Sequence, residues 1–285
     1  MLSIIILSWN VKNLLRRCLR SVFDKTNDID FEVFVIDNAS SDGSADMVGK
    51  EFPKAKLIRN DDNKGFAKAN NQAIKLCHGE QIILLNPDTE ILDSALAKMV
   101  RFLNEHPKAG IVGARLLNLD KTLQVGTARR FPTIGILTTM MLGLHSFLLK
   151  KKKYKDYYML DEKFEHITEV DQVMGASLMA KREVFSKIGA LDEKFWIWFE
   201  EVDFCKRAKN AEYKVFVLPD AEIIHHKGKS FIQQPKLKKY FQLSKSIIHY
   251  ASKHFSKFNF IILILLWPLG FLQAALVQIL GIKPR

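Results

Sequence analysis

The chain has 285 residues, 48% hydrophobic and 26% charged, which suits one sizeable core with one appendage and excludes a disordered polymer. Its net charge of +12 favours anionic partners such as nucleotide phosphates, acidic lipid headgroups or nucleic acid. Cys18, Cys77 and Cys205 are odd in number and widely spaced, which excludes a disulfide framework and a cysteine zinc site and fits a reducing compartment.

No charged start, short apolar run and cleavage site open the chain; residues 4–7 read as a strand, so the bulk of the protein is expected in the cytoplasm. Residues 3–7, 31–36, 56–58 and 81–85 are predicted strands, and helices are predicted near 12–23, 44–52, 67–76 and 94–104. Apolar β-branched runs alternating with amphipathic stretches predict an α/β fold with a mostly parallel sheet covered by helices. Each strand runs into a polar cluster: Ser8-Trp9-Asn10, Asp37-Asn38-Ala39-Ser40, Arg59 to Asn63, and Asn86-Pro87-Asp88. Ligands of open α/β sheets bind beyond the carboxyl ends of strands, so these clusters predict one crevice.

After about Arg115 the rhythm loosens into an apolar stretch, 131–149, ending in Lys150 to Lys153. Structure is expected again at 170–181, with a helix over 182–188 and a last strand over 215–218 before His225-His226. Residues 258–282 carry no charge and are bracketed by Lys253, Lys257, Lys283 and Arg285. That length suffices to span a bilayer, whereas Pro268, Gly270, Gln273 and Gln278 also suit a re-entrant or in-plane helix. The expected organisation is a catalytic domain over 1–230 and a helical membrane-associated tail over 231–285.

No GxGxxG or GxxxxGK[ST] loop follows any predicted strand, so a glycine cradle does not hold phosphates here. A divalent cation, Mg²⁺ or Mn²⁺, on one or two carboxylates is the economical alternative, and Asp88 is the best-placed ligand. Asp37 suits a ribose or base contact, or alternatively a turn and helix cap. Glu200, Glu201 and Asp203 follow an aromatic run, 195–199; mutual repulsion in a cleft would raise one pKa and make a general base, whereas the bland alternative is a solvated helix start. His225 or His226 is a candidate second metal ligand, and adjacent strand histidines face opposite ways, which leaves the other structural.

Taken in order, these segments resemble the family 2 glycosyltransferases of the GT-A fold, particularly their rhamnosyltransferase-like branch. The resemblance covers about four-fifths of the chain. It rests on Ser8-Trp9-Asn10, Asp37-Asn38-Ala39-Ser40, Asn63-Lys64-Gly65-Phe66 with Asn70-Asn71, Asn86-Pro87-Asp88, Gly175-Ala176, Phe199 to Arg207, and His225 five residues before Ser230. It implies a GT-A nucleotide-diphospho-sugar transferase with a nucleotide-sugar-binding half, 1–115, and an acceptor-binding half, 116–230. Asp37 would contact the nucleoside, while Ser8, Asn10, Asn38, Asn63, Gly65 and Asn70 line its pocket. Asp88 would hold the metal, with Asn86 standing where the family has a first aspartate, so His225 gains weight as a second ligand. Gly175 and Ala176 would lie against the sugars. The base falls on Glu201, where the family has Asp, with Glu200 and Asp203 as alternatives.

The implied reaction is inverting transfer of a sugar, rhamnose by branch resemblance, from a nucleotide diphosphate to a glycan or lipid-linked acceptor at the cytoplasmic face of the cell membrane. Competing readings are a nucleotidyltransferase, which would need a basic phosphate loop after the first strand, and a non-catalytic nucleotide-sugar-binding membrane protein. A nucleic-acid partner is not expected, because the lysines and arginines are dispersed and no recognition helix is visible.

Overall fold

The computed structural model describes residues 1–226 and 235–279. In chain order the first half forms β1 (Leu2–Ser8), α1 (Lys12–Lys25), β2 (Phe31–Asp37), α2 (Ser44–Glu51), β3 (Lys56–Arg59), α3 (Phe66–Ile74), β4 (Gln81–Leu85), β5 (Thr89–Ile91) and α4 (Ala95–Glu105). There follow β6 (Ala109–Leu117), β7 (Ala128–Arg129), α5 (Ile134–Met141), a 3-10 turn (His145–Leu148), α6 (Lys152–Tyr158), β8 (Thr168–Val170), β9 (Gln172–Val173) and β10 (Ser177–Lys181). The rest comprises α7 (Arg182–Ile188), α8 (Glu200–Asn210), β11 (Lys214–His225), α9 (Lys236–His254) and α10 (Lys257–Ile279).

One large sheet runs in the order β3-β2-β1-β4-β10-β6-β11-β5, with β8 on β11. Its first four strands are parallel, as their apolar runs predict, and β10 enters antiparallel between β4 and β6. Strand alternation builds the two faces: Ile4 and Ile6 join Leu15, Leu19 and Met99 beneath α1 and α4, whereas Ile5 joins Ala67, Ala73 and Phe204 beneath α3 and α8. Both faces of the sheet are therefore covered.

Strands β5 and β6 are not among the predicted strands. Strand β6 is interrupted by Gly110 and Gly113, where a Cβ would collide with Tyr213 and Val173; neighbouring side chains fill the places its own would take. The last strand extends from Lys214 to His225, far beyond the predicted 215–218, because a register shift between Leu218 and Glu222 lets it continue along β6.

A third core cluster joins α5, α6, the 195–202 segment, α9 and α10 around Phe195, Phe199, Tyr250 and Leu263. Helix α9 is thus packed against α5, α6 and the 195–202 segment. The expected boundary at residue 230 lies outside the described residues.

Candidate active site

The carboxyl ends of β1, β2 and β4 open into a cavity of about 390 Å³. Of the predicted residues, Asn38, Asn63, Gly65, Asn86, Asp88, Gly175, Ala176, Glu200, Glu201 and His225 line it. Trp9, Phe66, Trp196 and Trp198 also line it; they stood in the quoted motifs and the aromatic run without a role of their own, and Arg129, which lines it too, was not singled out at all. The signal for Trp196 and Trp198 was the aromatic run ahead of Glu200, and that for Trp9 and Phe66 their place in polar clusters after strands. Arg129 had none, since its role depends on which helix the short strand β7 faces.

Asparagines shape one wall. Asn38 Nδ2 donates to Asn63 Oδ1 at 2.9 Å, and Asn38 Oδ1 accepts from Asn60 Nδ2 at 3.0 Å and from the backbone N–H of Lys64 at 3.2 Å. Asn63 Oδ1 also accepts from Gly65 N at 3.0 Å. These bonds fix the loop that leads into α3. Gly65 has φ +79°, and a Cβ there would strike the Trp196 carbonyl and indole, so only glycine lets this loop approach the aromatic segment. The contact is sealed by Phe66 N donating to Trp196 O at 2.6 Å.

Asp37, Ser8, Asn10 and Asn70 do not line the cavity. Asp37 Oδ2 accepts from Ser40 N at 3.0 Å, the turn role anticipated as its alternative, while its Oδ1 is buried without a hydrogen-bond partner. Asn10 Oδ1 accepts from Ser41 N at 2.7 Å and braces the same loop from the other side. Ser8 is fully buried at the end of β1, and Asn70 Nδ2 donates to the Phe66 carbonyl within α3.

On the opposite wall, α8 starts immediately after Trp198 and Phe199, whose φ values of 60° and 72° are rarely adopted by aromatic residues. This left-handed step aims the first turn of α8 into the cavity. Glu201 Oε1 accepts from Arg129 Nη2 at 3.2 Å, and the Oε2 atoms of Glu200 and Glu201 are both buried without hydrogen-bond partners. Burial, and secondarily the charge of Glu201, pushes the Glu200 carboxyl well above the ordinary carboxylate range.

Asp203 lies one turn on and points elsewhere. Arg207 Nε donates to it at 2.7 Å, His254 Nε2 bonds it at 2.8 Å, and Lys253 Nζ lies 2.7 Å away. Burial pushes its carboxyl up, but those three partners outweigh the desolvation and hold it at about 2. Its place is between α8 and α9, away from the cavity.

The register of β11 against β5 sets His225 opposite Thr89, so its ring meets Asp88. His225 Nε2 is 3.3 Å from Asp88 Oδ1 and has no hydrogen-bond partner, although it is buried. Its Nδ1 faces Gln124 Oε1 at 2.7 Å, while Gln124 Nε2 donates to the His225 carbonyl at 2.9 Å and to Asn118 Oδ1 at 3.1 Å. With the amide held this way Nδ1 carries a proton, so in the neutral ring it is Nε2 that presents its lone pair beside the carboxylate. Two lone-pair donors converging on one buried point fit a cation between them. Among the described residues no group of three or more metal-binding side chains occurs, so such a site would rely on ligand oxygens for the remainder. As the strand alternation predicts, His226 turns away and pairs with Glu90 at 2.6 Å.

The profile of Glycosyl transferase family 2 matches residues 3–189, more than half of the chain. A protein of Sinorhizobium fredii, y4gI, is 27% identical over 241 residues, which is 81% of this chain but 25% of that one. An N-acetylglucosaminyl-diphospho-decaprenol L-rhamnosyltransferase of Mycobacterium tuberculosis is 24% identical over 218 residues, 71% of this chain and 69% of its own. A mannosyltransferase of Pyrobaculum calidifontis, solved with GDP-Man and Mn2+, superposes on 99% of this chain and 88% of its own with a TM-score of 0.56 at 15% identity. The fold is that of the GT-A glycosyltransferases. The ordered polar strand ends, the acidic start of α8 and the family match agree: the chain belongs to glycosyl transferase family 2 and is a glycosyltransferase.

Proposed function

We propose that this enzyme transfers a sugar, rhamnose, from a nucleotide-diphosphate donor to a lipid-linked or polysaccharide acceptor at the cytoplasmic face of a membrane, with inversion at the anomeric carbon. The observation that carries the reading is that Glu201 Oε2, buried and without a hydrogen bond, shares one cavity with the Asp88–His225 pair. Rhamnose and the lipid-linked acceptor are supported by the likeness to the mycobacterial rhamnosyltransferase. The location is supported by the uncharged stretch at 258–279.

In this mechanism Trp9 and the asparagine wall receive the nucleotide and Gly175-Ala176 lets the sugar approach the backbone. Asp88 and His225 are the residues that would hold a divalent cation, which when bound supplies positive charge to the diphosphate oxygens. Glu201 accepts the proton of the acceptor hydroxyl. The acceptor oxygen forms a bond to the anomeric carbon as the bond to the diphosphate oxygen breaks, and the nucleoside diphosphate departs with that electron pair. Arg129 orients the base through Oε1 and leaves Oε2 for the acceptor. Glu200, whose carboxyl burial pushes well above the ordinary range, stands beside the base.

Release of nucleoside diphosphate from UDP-, dTDP- and GDP-sugars with Mn²⁺ or Mg²⁺, in the presence of membrane lipid extract, tests the proposal. Turnover with a dTDP-deoxysugar that needs the metal and is lost in Asp88→Asn and Glu201→Gln is the expected result. Unchanged turnover in both variants would overturn the assignment of these residues.

A further inference from the structure

We infer that α10 lies flat in the plane of an anionic lipid leaflet and that the 144–153 segment of the catalytic domain docks on the same leaflet beside it. This deepens the proposed membrane location, on which it rests for its purpose.

Helix α10 has 23 residues, about 34 Å at the usual helical rise, so length alone allows it to cross a bilayer. Its packing argues for a different placement. One side is fixed to the protein along its course: Leu263 is fully buried, Trp267 Nε1 donates to Ser244 Oγ at 3.0 Å, and Leu237 N donates to Gln278 Oε1 at 2.9 Å. Gly270 is buried where any Cβ would collide with the Met141 carbonyl and the Tyr240 hydroxyl, and a Cβ on Gly143 would meet the Gln273 amide. A helix crossing the hydrocarbon in this arrangement would take α9 with it, including exposed Lys245 and Lys253, which the bilayer interior penalises.

The other side is a broad apolar face that includes exposed Ile264, Phe271 and Ile279. Phe258, Ile261, Leu265, Leu269, Leu272 and Leu276 recur at three- and four-residue spacing and are all exposed, Leu265 at 71%. Next to Gly143, and so next to the far half of this face, Phe147 stands 76% exposed with Leu144 and Leu149. Lys150, Lys151, Lys152 and Lys153 follow immediately and are exposed. An apolar face beside a run of free cations matches acyl chains beneath anionic headgroups. That charge is what selects a lipid surface over a second copy of the chain, whose net charge of +12 would oppose pairing through a basic rim.

The full chain is tested by flotation with vesicles of phosphatidylcholine alone and with 30% phosphatidylglycerol, without donor or acceptor, so that failure leaves the transfer reaction unaffected. Binding is expected on the anionic vesicles and about tenfold weaker in the double variant Lys150→Glu/Lys152→Glu. Depth is read from fluorophores on Phe258→Cys, Leu265→Cys and Leu272→Cys, quenched by nitroxide lipids; Cys18, Cys77 and Cys205 are buried, so they stay in place. One common shallow depth supports the inference. A depth that deepens toward the middle of the helix overturns it in favour of a span, and a dimer that binds no vesicles overturns it in favour of self-association.

Discussion

Gln124 Oε1 lies 2.7 Å from His225 Nδ1, and the same amide is anchored by its nitrogen to the carbonyl of His225. Gln124 therefore sets which imidazole nitrogen presents a lone pair to Asp88. Replacing it by leucine removes the acceptor and the brace together. Gln124→Leu is expected to weaken Mn²⁺ binding by about 10- to 100-fold, the range typical for lost outer partners of a ligating histidine, measured calorimetrically with nucleoside diphosphate present. Gln124→Glu, which keeps an acceptor at the same position, is expected to retain most of the affinity.

Gly65 is the tightest point of the donor wall. Its φ of +79° with ψ of −179° lies in a region essentially reserved for glycine, and the Trp196 carbonyl and indole occupy the space of a Cβ. Gly65→Ala should cost about 1–3 kcal/mol of stability, read as a fall in the thermal midpoint. Because the loop it displaces carries Asn63, the Michaelis constant for the donor should rise as well. Unchanged donor kinetics would show that this wall does not touch the nucleotide.

Glu200 makes a prediction whose sign is opposite for stability and for a simple loss of packing. Its folded pKa is raised by burial, so above the unfolded carboxyl value, about 4.3, the folded state holds the extra proton and stability falls with rising pH until the folded value is passed. Glu200→Gln removes that penalty. The variant should melt higher than the parent at pH 8, with the difference vanishing near pH 4. Equal melting at both pH values would count against a buried, proton-retaining carboxyl.

The parallel half of the fold was legible because its strands are uninterrupted apolar runs, each ending in polar residues. Asp88 was singled out because it follows the apolar strand 81–85, whereas Glu201 among its acidic neighbours and the weight on His225 came from the family resemblance. What escaped depends on tertiary neighbours. Gly110 and Gly113 weaken the local signal of β6 while Tyr213 and Val173 complete its packing, and Arg129 acquires its meaning only where Glu201 meets it. The acidic triplet shows the limit most clearly: spacing groups Asp203 with Glu200 and Glu201, yet helical rotation turns it toward α9, where Arg207, Lys253 and His254 surround it.

That rotation makes Asp203 a strut between α8 and α9. Lys253 pairs with both Asp203 at 2.7 Å and Asp192 at 2.8 Å, His249 Nε2 bonds Asp192 at 2.9 Å, and Ser246 Oγ donates to the Ile197 carbonyl at 2.8 Å. Helix α9 thus braces the segment that carries Trp196 and Trp198 into the cavity. Asp203→Ala removes the buried carboxylate shared by Arg207, Lys253 and His254 and should cost about 2 kcal/mol, in the range of hydrogen bonds to a charged group. Since the folded carboxyl titrates at about 2, below its unfolded value, the stabilisation is complete above about pH 4 and is lost as pH falls toward 2. The parent should therefore lose its advantage over Asp203→Ala across that acid window in pH-dependent melting. Removing α9 and α10 altogether should go further and leave the 195–202 segment without its cover, so a chain ending at residue 234 should be insoluble or bind no nucleotide. A soluble, donor-hydrolysing fragment of that length would show that the C-terminal helices serve the membrane alone.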